Sequence, residues 1–262
     1  MVLLKHECKQ MLKSLLIWSL AVGITCYGCI LLYQSLEDSI AGMADMYAKM
    51  GDMSKAIGLD KVSIATLDGY FATEIALMFG LGAGMFASMM GAGILSKEEE
   101  GHTSEFLYTL PHSRAMVLAW KFVSLIIILV IFNLVCVGLE SLGLWQTGLD
   151  FSVRSFVTYH ALAFIMQLEL ASLCFLISAL SRRRQLGAAL GLTLLFYVMD
   201  MMGRIIPDLE KIKYVTPYYF ANGADVFSKA ELNSWLPILA LAISSVSLLL
   251  SFAIYQKRDL TA

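Results

Sequence analysis

Three groups of polar residues stand where an otherwise apolar chain needs a reason to keep them. The first is an acidic run, Glu98, Glu99, Glu100 and Glu105, inside residues 96–121, the charged stretch between two long apolar segments. The second is Glu169, with Gln167 two residues before it and Asn133 in the preceding apolar segment. The third is Asp200 and Arg204, spaced i, i+4 so that they can pair on one helix. An ionisable side chain within a lipid-spanning helix is costly and marks a substrate or ion path by default. Glu169 therefore has two readings. Either it lines an internal cavity with Gln167 and Asn133 and meets a polar or cationic substrate, or it is protonated and hydrogen-bonded to a neighbouring helix. Asp200 and Arg204 read as a structural pair.

Other chemistries lack their residues. The sequence holds no G-x-x-x-x-G-K-[ST] loop to cradle phosphates, so it carries no nucleotide-hydrolysing motor of its own. No H-E-x-x-H occurs, and the four histidines (His6, His102, His112, His160) have no ligand spacing, so no metal site is expected. Cys26-x-x-Cys29 lies in an apolar run without a second ligand pair and reads as buried thiols. No disulfide framework is implied by five cysteines that avoid the long polar loops. A net charge of −2, with Arg182-Arg183-Arg184 as the longest basic run, gives no nucleic-acid signature.

The elements that would position these groups are membrane spans. Charged residues make up only 15% of the 262 and the mean hydropathy is +0.72. Soluble domains carry about 25% charged residues. Six apolar runs are long enough for a bilayer core of about 30 Å: residues 15–32, 71–95, 119–139, 157–180, 186–206 and 235–255. The expected fold is an all-α integral membrane protein, one transmembrane domain over residues 1–262. Between the first two spans, Ile40, Met43, Met46, Tyr47, Met50, Met53 and Ile57 share one arc at 100° per residue, opposite Asp38, Asp45, Lys49, Asp52 and Lys55. This predicts an amphipathic helix over 39–57, packed on the membrane domain. Asp68 is placed to cap the second span. Orientation follows from Lys and Arg. Residues 1–14, 96–121, 181–185 and the tail hold 11 in 52 residues, against 7 in 83 for the other loops. The denser side should be cytoplasmic, with both termini inside.

Residues 96–121 then face the cytosol. Ser96 and Glu99 have capping-box spacing; Phe106, Leu107 and Leu110 fall on one side of a helix, Pro111 stops it, and Ser113 can cap the next. A short amphipathic helix between two spans can sit in a groove of a soluble partner and carry its movement into the membrane. Glu98, Glu99, Glu100 and Glu105 would meet basic residues of that partner, and Arg114 would anchor to lipid phosphate or a helix end.

At these residues the sequence resembles a family. Glu99, Glu100, Gly101, Thr103, Glu105, Leu107, Pro111, Ser113 and Arg114 are similar to the E-x-G-T-x-E-x-L-x-x-x-P-x-S-R signature of type-2 ABC exporter permeases, with His102 as one extra residue between Gly and Thr. Thr103–Arg114 is also similar to the T-S-E-F-L-x-x-x-P-x-S-R form, and residues 255–260 to the family's basic tail. The resemblance implies a cytoplasmic coupling helix between spans two and three, formed by Glu98, Glu99, Glu100, Gly101, Thr103, Glu105, Phe106, Leu107, Leu110, Pro111 and Arg114. It implies a multi-pass permease in the plasma membrane, in contact with lipid, dimerising with a second copy or a homologue. Separate ABC ATPase subunits would bind the ATP and magnesium, and the permease itself would be no enzyme and bind no cofactor. Drugs, antimicrobial peptides and lipid-like molecules are among the family's substrates. The competing expectation is a proton-coupled secondary transporter using Glu169 and Asp200, which would normally show repeated halves and broken helices.

Overall fold

In the computed structural model the described residues are 2–102, 113–228 and 235–258, and no strand occurs among them. Their elements, in order, are α1 (Val2–Ala48), α2 (Asp52–Ile57), α3 (Leu67–Tyr70), a π-helical turn (Phe71–Ile75), α4 (Ala76–Gly93), α5 (Lys97–Glu100), α6 (Arg114–Thr147), α7 (Val153–Leu180), α8 (Leu186–Ile205), a 3-10 segment (Pro207–Tyr214), α9 (Gly223–Phe227) and α10 (Trp235–Lys257). Six helices are long and apolar enough to cross a membrane, beginning with α1 and ending with α10.

The first span does not end at residue 32. The chain from Tyr33 to Ala48 lacks proline and is rich in helix formers, so α1 runs on for 47 residues, about 70 Å at 1.5 Å per residue. It breaks at Gly51, whose φ of +63° suits glycine, and restarts as α2. The amphipathic helix predicted over 39–57 is thus the far end of α1 followed by α2. The break resets the helical register and splits the expected arc. Ile40, Tyr47 and Ile57 turn inward against Leu59, Ile64 and Leu67, while Met43, Met46, Met50 and Met53 stay exposed. Tyr33 ties this end down by donating to the Ala65 carbonyl at 2.9 Å.

Two further bounds differ. The third span continues to Thr147 and the fourth starts at Val153, so the connection expected between residues 139 and 157 shrinks to residues 148–152. Asp68 lies within the first turn of the second span rather than capping it. Thr66 is the cap, accepting from the Gly69 N–H at 3.1 Å, and Asp68 accepts from the Ser152 N–H at 2.9 Å, joining two loops at that end.

The centre of the bundle is α4 against α7, the two most buried spans. In lipid, close approach through small residues replaces much of the hydrophobic drive, and the small residues of α4 serve that contact within one chain. A Cβ on Gly91 would sit 2.4 Å from the Ala171 carbonyl oxygen. Aromatic side chains fill the rest, with Phe86 stacked on Phe132 at 4.6 Å and tilted against Trp18 at 6.3 Å. We expect Gly91→Val to force α4 from α7 and lower the melting temperature of the purified protein by several degrees, while Gly191→Val, which meets nothing within 4 Å, leaves it nearly unchanged.

Candidate functional site

The end of the bundle that carries both termini is built on a buried ammonium. Lys121, in the second turn of α6, is fully buried. Its Nζ donates to Glu7 Oε1 at 2.9 Å, to Glu98 Oε1 at 2.5 Å and to the Ile94 carbonyl at 2.9 Å, which uses its three N–H donors. Glu7 in α1 is equally buried, and its other oxygen accepts from Lys97 at 2.5 Å. Lys97 also reaches Gln10 Oε1 and lies 3.7 Å from Glu98. Burial, then the charge of Lys121, holds the Lys97 ammonium below its usual value against the pull of Glu7 and Glu98. Two cations and two carboxylates thus join α1, α5 and α6, and each carboxylate meets both cations.

A second group binds the remaining spans to the same short segment. Glu99 is buried and accepts from the Arg258 guanidinium at 2.8 Å. Arg258 also donates to the Ala179 and Ser181 carbonyls at the end of α7. Ser178 accepts from the Leu95 and Ser96 N–H groups at 3.0 and 3.1 Å. Glu100 accepts from the Arg184 backbone N–H at 3.0 Å, in the turn before α8. On the other flank, Ser113 caps α6 and Arg114 donates to the Gln256 and Arg258 carbonyls at 3.3 and 2.8 Å, satisfying the carboxyl end of α10.

Of the residues expected to touch an ATPase, Glu98, Glu99, Glu100 and Arg114 are therefore engaged inside the chain. The expectation that the three glutamates face a partner's basic residues is corrected for Glu98 and Glu99: the ends of α1, α6 and α10 bring Lys121 and Arg258 onto them. Gly101 is exposed beside them. Thr103, Glu105, Phe106, Leu107, Leu110 and Pro111 lie outside the described residues. The buried partners Glu7 and Lys121 were missed. The signal was a lone lysine within the apolar run that opens α6, in need of an opposite charge, and a lone glutamate among the lysines of residues 1–14. Tyr255, at the end of α10, is buried, and the Arg258 guanidinium lies 6.0 Å from its ring centre.

The predicted cavity trio does not assemble. Asn133 and Gln167 exchange amide hydrogen bonds at 2.7 and 3.0 Å across α6 and α7 and so satisfy each other. Glu169 is buried on another face of α7, near Thr216, Phe220 and α10. Asp200 pairs with Arg204 at 3.0 Å as expected, but Arg204 also binds Asp225 at 2.8 Å and the Tyr219 carbonyl at 3.2 Å. Lys61 completes that network on Asp225 at 2.6 Å. Burial opposes the charge of Asp225, yet Arg204 and Lys61 prevail and hold its carboxyl below the usual range. Glu169 and Asp200 line different cavities. Glu140, expected in a loop, is fully buried in α6, 2.9 Å from His160 Nε2 of α7 although no aligned hydrogen bond joins them. Phe79, Phe156 and Tyr159 surround that histidine.

The sequence matches the family described as ABC-2 family transporter protein over residues 1–260. The chain belongs to that family. No curated protein matches it. As an ABC-2 family member with six spanning helices, it is a multi-pass membrane protein and a permease of an ABC transporter, a subunit type that is generally non-catalytic and that partners an ABC ATPase. Within this permease the ion-paired base is the feature that links spans to the acidic signature.

Breaking a buried pair strands the other charge, at a cost of about 3–5 kcal/mol. We expect Lys121→Met to lower the folded yield and melting temperature sharply. Adding Glu7→Gln to Lys121→Met should restore part of the loss, because one stranded carboxylate is removed. Equal melting temperatures for wild type and Lys121→Met would show that the hub does not hold the base.

Proposed function

We propose that the chain is the permease subunit of an ATP-driven exporter and works as a dimer, with a second copy or homologue, on two separate ATPase subunits that bind the ATP and magnesium. Its termini and residues 96–114 face the cytoplasm, as the Lys and Arg density suggests. Residues 96–114 form the coupling segment. One observation carries this reading: the two flanks of residues 103–112 are between them tied to all six spans. The amino-terminal flank continues from α4 and is bound to α1 by Glu7, to α6 by Lys121, to α7 by Ser178, to the start of α8 by Arg184 and to α10 by Arg258. The carboxyl-terminal flank begins α6 and is bound to α10 by Arg114.

Such an arrangement suits mechanical transfer. A packed, ion-paired junction shifts as a unit instead of deforming continuously. Closure of the ATPases on bound ATP would press on the coupling segment, and the base would pass the displacement to every span. The internal glutamates then serve rigidity. Glu105 and the apolar patch of Phe106, Leu107 and Leu110 serve the partner contact, where a buried aromatic anchor commonly accounts for about 2 kcal/mol or more. The exported molecule belongs to the drug, antimicrobial-peptide or lipid-like classes. Glu169 and Asp200 border separate cavities, which supports the ATP-driven reading over the proton-coupled alternative.

Purification of the tagged full chain should bring down an ABC ATPase, identified by mass spectrometry. Phe106→Ala and Glu105→Lys should lose that ATPase while keeping the melting temperature of the isolated permease. Unchanged capture with a lowered melting temperature would mean that the patch packs on its own spans and would defeat the coupling assignment. For orientation, single cysteines at Asp45 and Asp150, both exposed, should react with an impermeant thiol reagent on whole cells in a background lacking the native five. One at exposed His102 should not, and labelling of His102 alone would invert the topology.

A further inference from the structure

A second site lies beside the ion-paired base. Between α1, α4 and the start of α8 is a partly open cavity of about 500 Å³, within the size range of ligand sites, roughly 300–1,000 Å³. Met11, Met89, Met90 and Leu186 line it. Methionines are unbranched and adapt to irregular apolar chains. At the polar end stands Arg184. Its side chain is half-exposed and approaches Glu100 only at 3.4 Å through Nε, its sole ion pair among the described residues. Its other N–H groups remain for a ligand.

The free donors at that end suit an anion, while the formal charges balance as Lys97, Lys121 and Arg184 against Glu7, Glu98 and Glu100. Glu98 also borders the cavity, but its carboxylate is bonded to Lys121 and close to Lys97, so its charge is matched. Lys97 lies opposite, with two of its three N–H donors on Glu7 and Gln10, and adds to the field. The α8 helix begins at this wall, and Gln185 gives it no side-chain cap, so its dipole adds to the same potential. The space is also kept open. A Cβ on Gly93 would point at Arg184 and Leu186, 3.8 and 3.9 Å away, so any larger residue there would enter the cavity. On α1, Ile17 lies on the arc next to the lining residues and is exposed, as a lipid-facing residue is.

We propose that this cavity binds the phosphate-type anionic head of an amphiphile from the leaflet on the side of the termini, with Arg184 on the head and the three methionines along the first part of the chain. A guanidinium can engage phosphate through two parallel N–H bonds. The site stands whether or not its occupant is the exported molecule.

The test uses the full chain in nanodiscs of equal phosphatidylglycerol and phosphatidylcholine, then native mass spectrometry of the lipid kept after extraction. Wild type should retain phosphatidylglycerol preferentially. Arg184→Gln should lose about tenfold of that preference, as expected for removing one charge-assisted contact. Gly93→Phe should lose retention of either lipid, and Gly191→Phe should behave as wild type. Equal retention of the two lipids by wild type, or an unchanged preference in Arg184→Gln, would overturn the proposal. If glycerol 3-phosphate raises the melting temperature of wild type but not of Arg184→Gln, and neither lipid is retained, the anion is a soluble phosphate and the amphiphile is overturned. Should Gly93→Phe fail to fold, the half-exposed Arg184→Gln still decides.

Discussion

A lysine with no exposed surface must be surrounded by charge or it will not be there as an ion. Lys121 meets that condition through Glu7 and Glu98, and much of the base follows from it. Glu7 can be buried only if α1 reaches past the apolar zone to bring it to Lys121. Glu98 can be delivered only if α4 ends near Gly93 and the chain turns at once into α5. Lys97 then balances the second carboxylate. A buried ion pair adds little net stability against an apolar replacement, but its loss on one side is severe. Its value here lies in register, because α1, α5 and α6 have one mutual position that satisfies all four charges.

The two ends of the bundle use ion pairs and the middle uses shape. At the far end Lys61, Asp225, Arg204 and Asp200 tie the α2–α3 connection and α9 to the end of α8. Between the ends, α4 meets α7 through small side chains and edge-to-face aromatic contacts, with few polar ones. Close packing of this kind has few compromises between two arrangements, so movement forced on one end is carried along whole helices.

The spans and the helical class were legible because an apolar run of about 20 residues has few other uses. What failed was length. Hydropathy locates the lipid-facing part of a helix and is blind to its continuation, so α1 and α6 were cut where charges appear. Glu140 was assigned to a loop for that reason; inside α6 it has His160 of α7 at ion-pair distance. The i, i+4 pair Asp200 and Arg204 was readable because both partners lie on one helix. Asp225 and Lys61 were not, because only the fold brings them there. Asn133 and Gln167 were correctly singled out as polar residues in spans, but two amides on facing helices can satisfy each other, a possibility invisible in one sequence.

The acidic signature illustrates the same point most sharply. On a helical wheel, three consecutive glutamates in a loop between spans look like a surface. In the fold they divide by direction. Glu98 points to α1 and α6, Glu99 to Arg258 at the end of α10, and Glu100 outward to the turn before α8. Successive residues on a helix are about 100° apart, so three in a row necessarily address three neighbours. A segment that must connect with every span in few residues is best served by adjacent charges of one sign facing isolated opposite charges, because each long side chain can then find its own partner. The run is therefore explained by its position at the junction of the helices, before any contact with a second protein is considered.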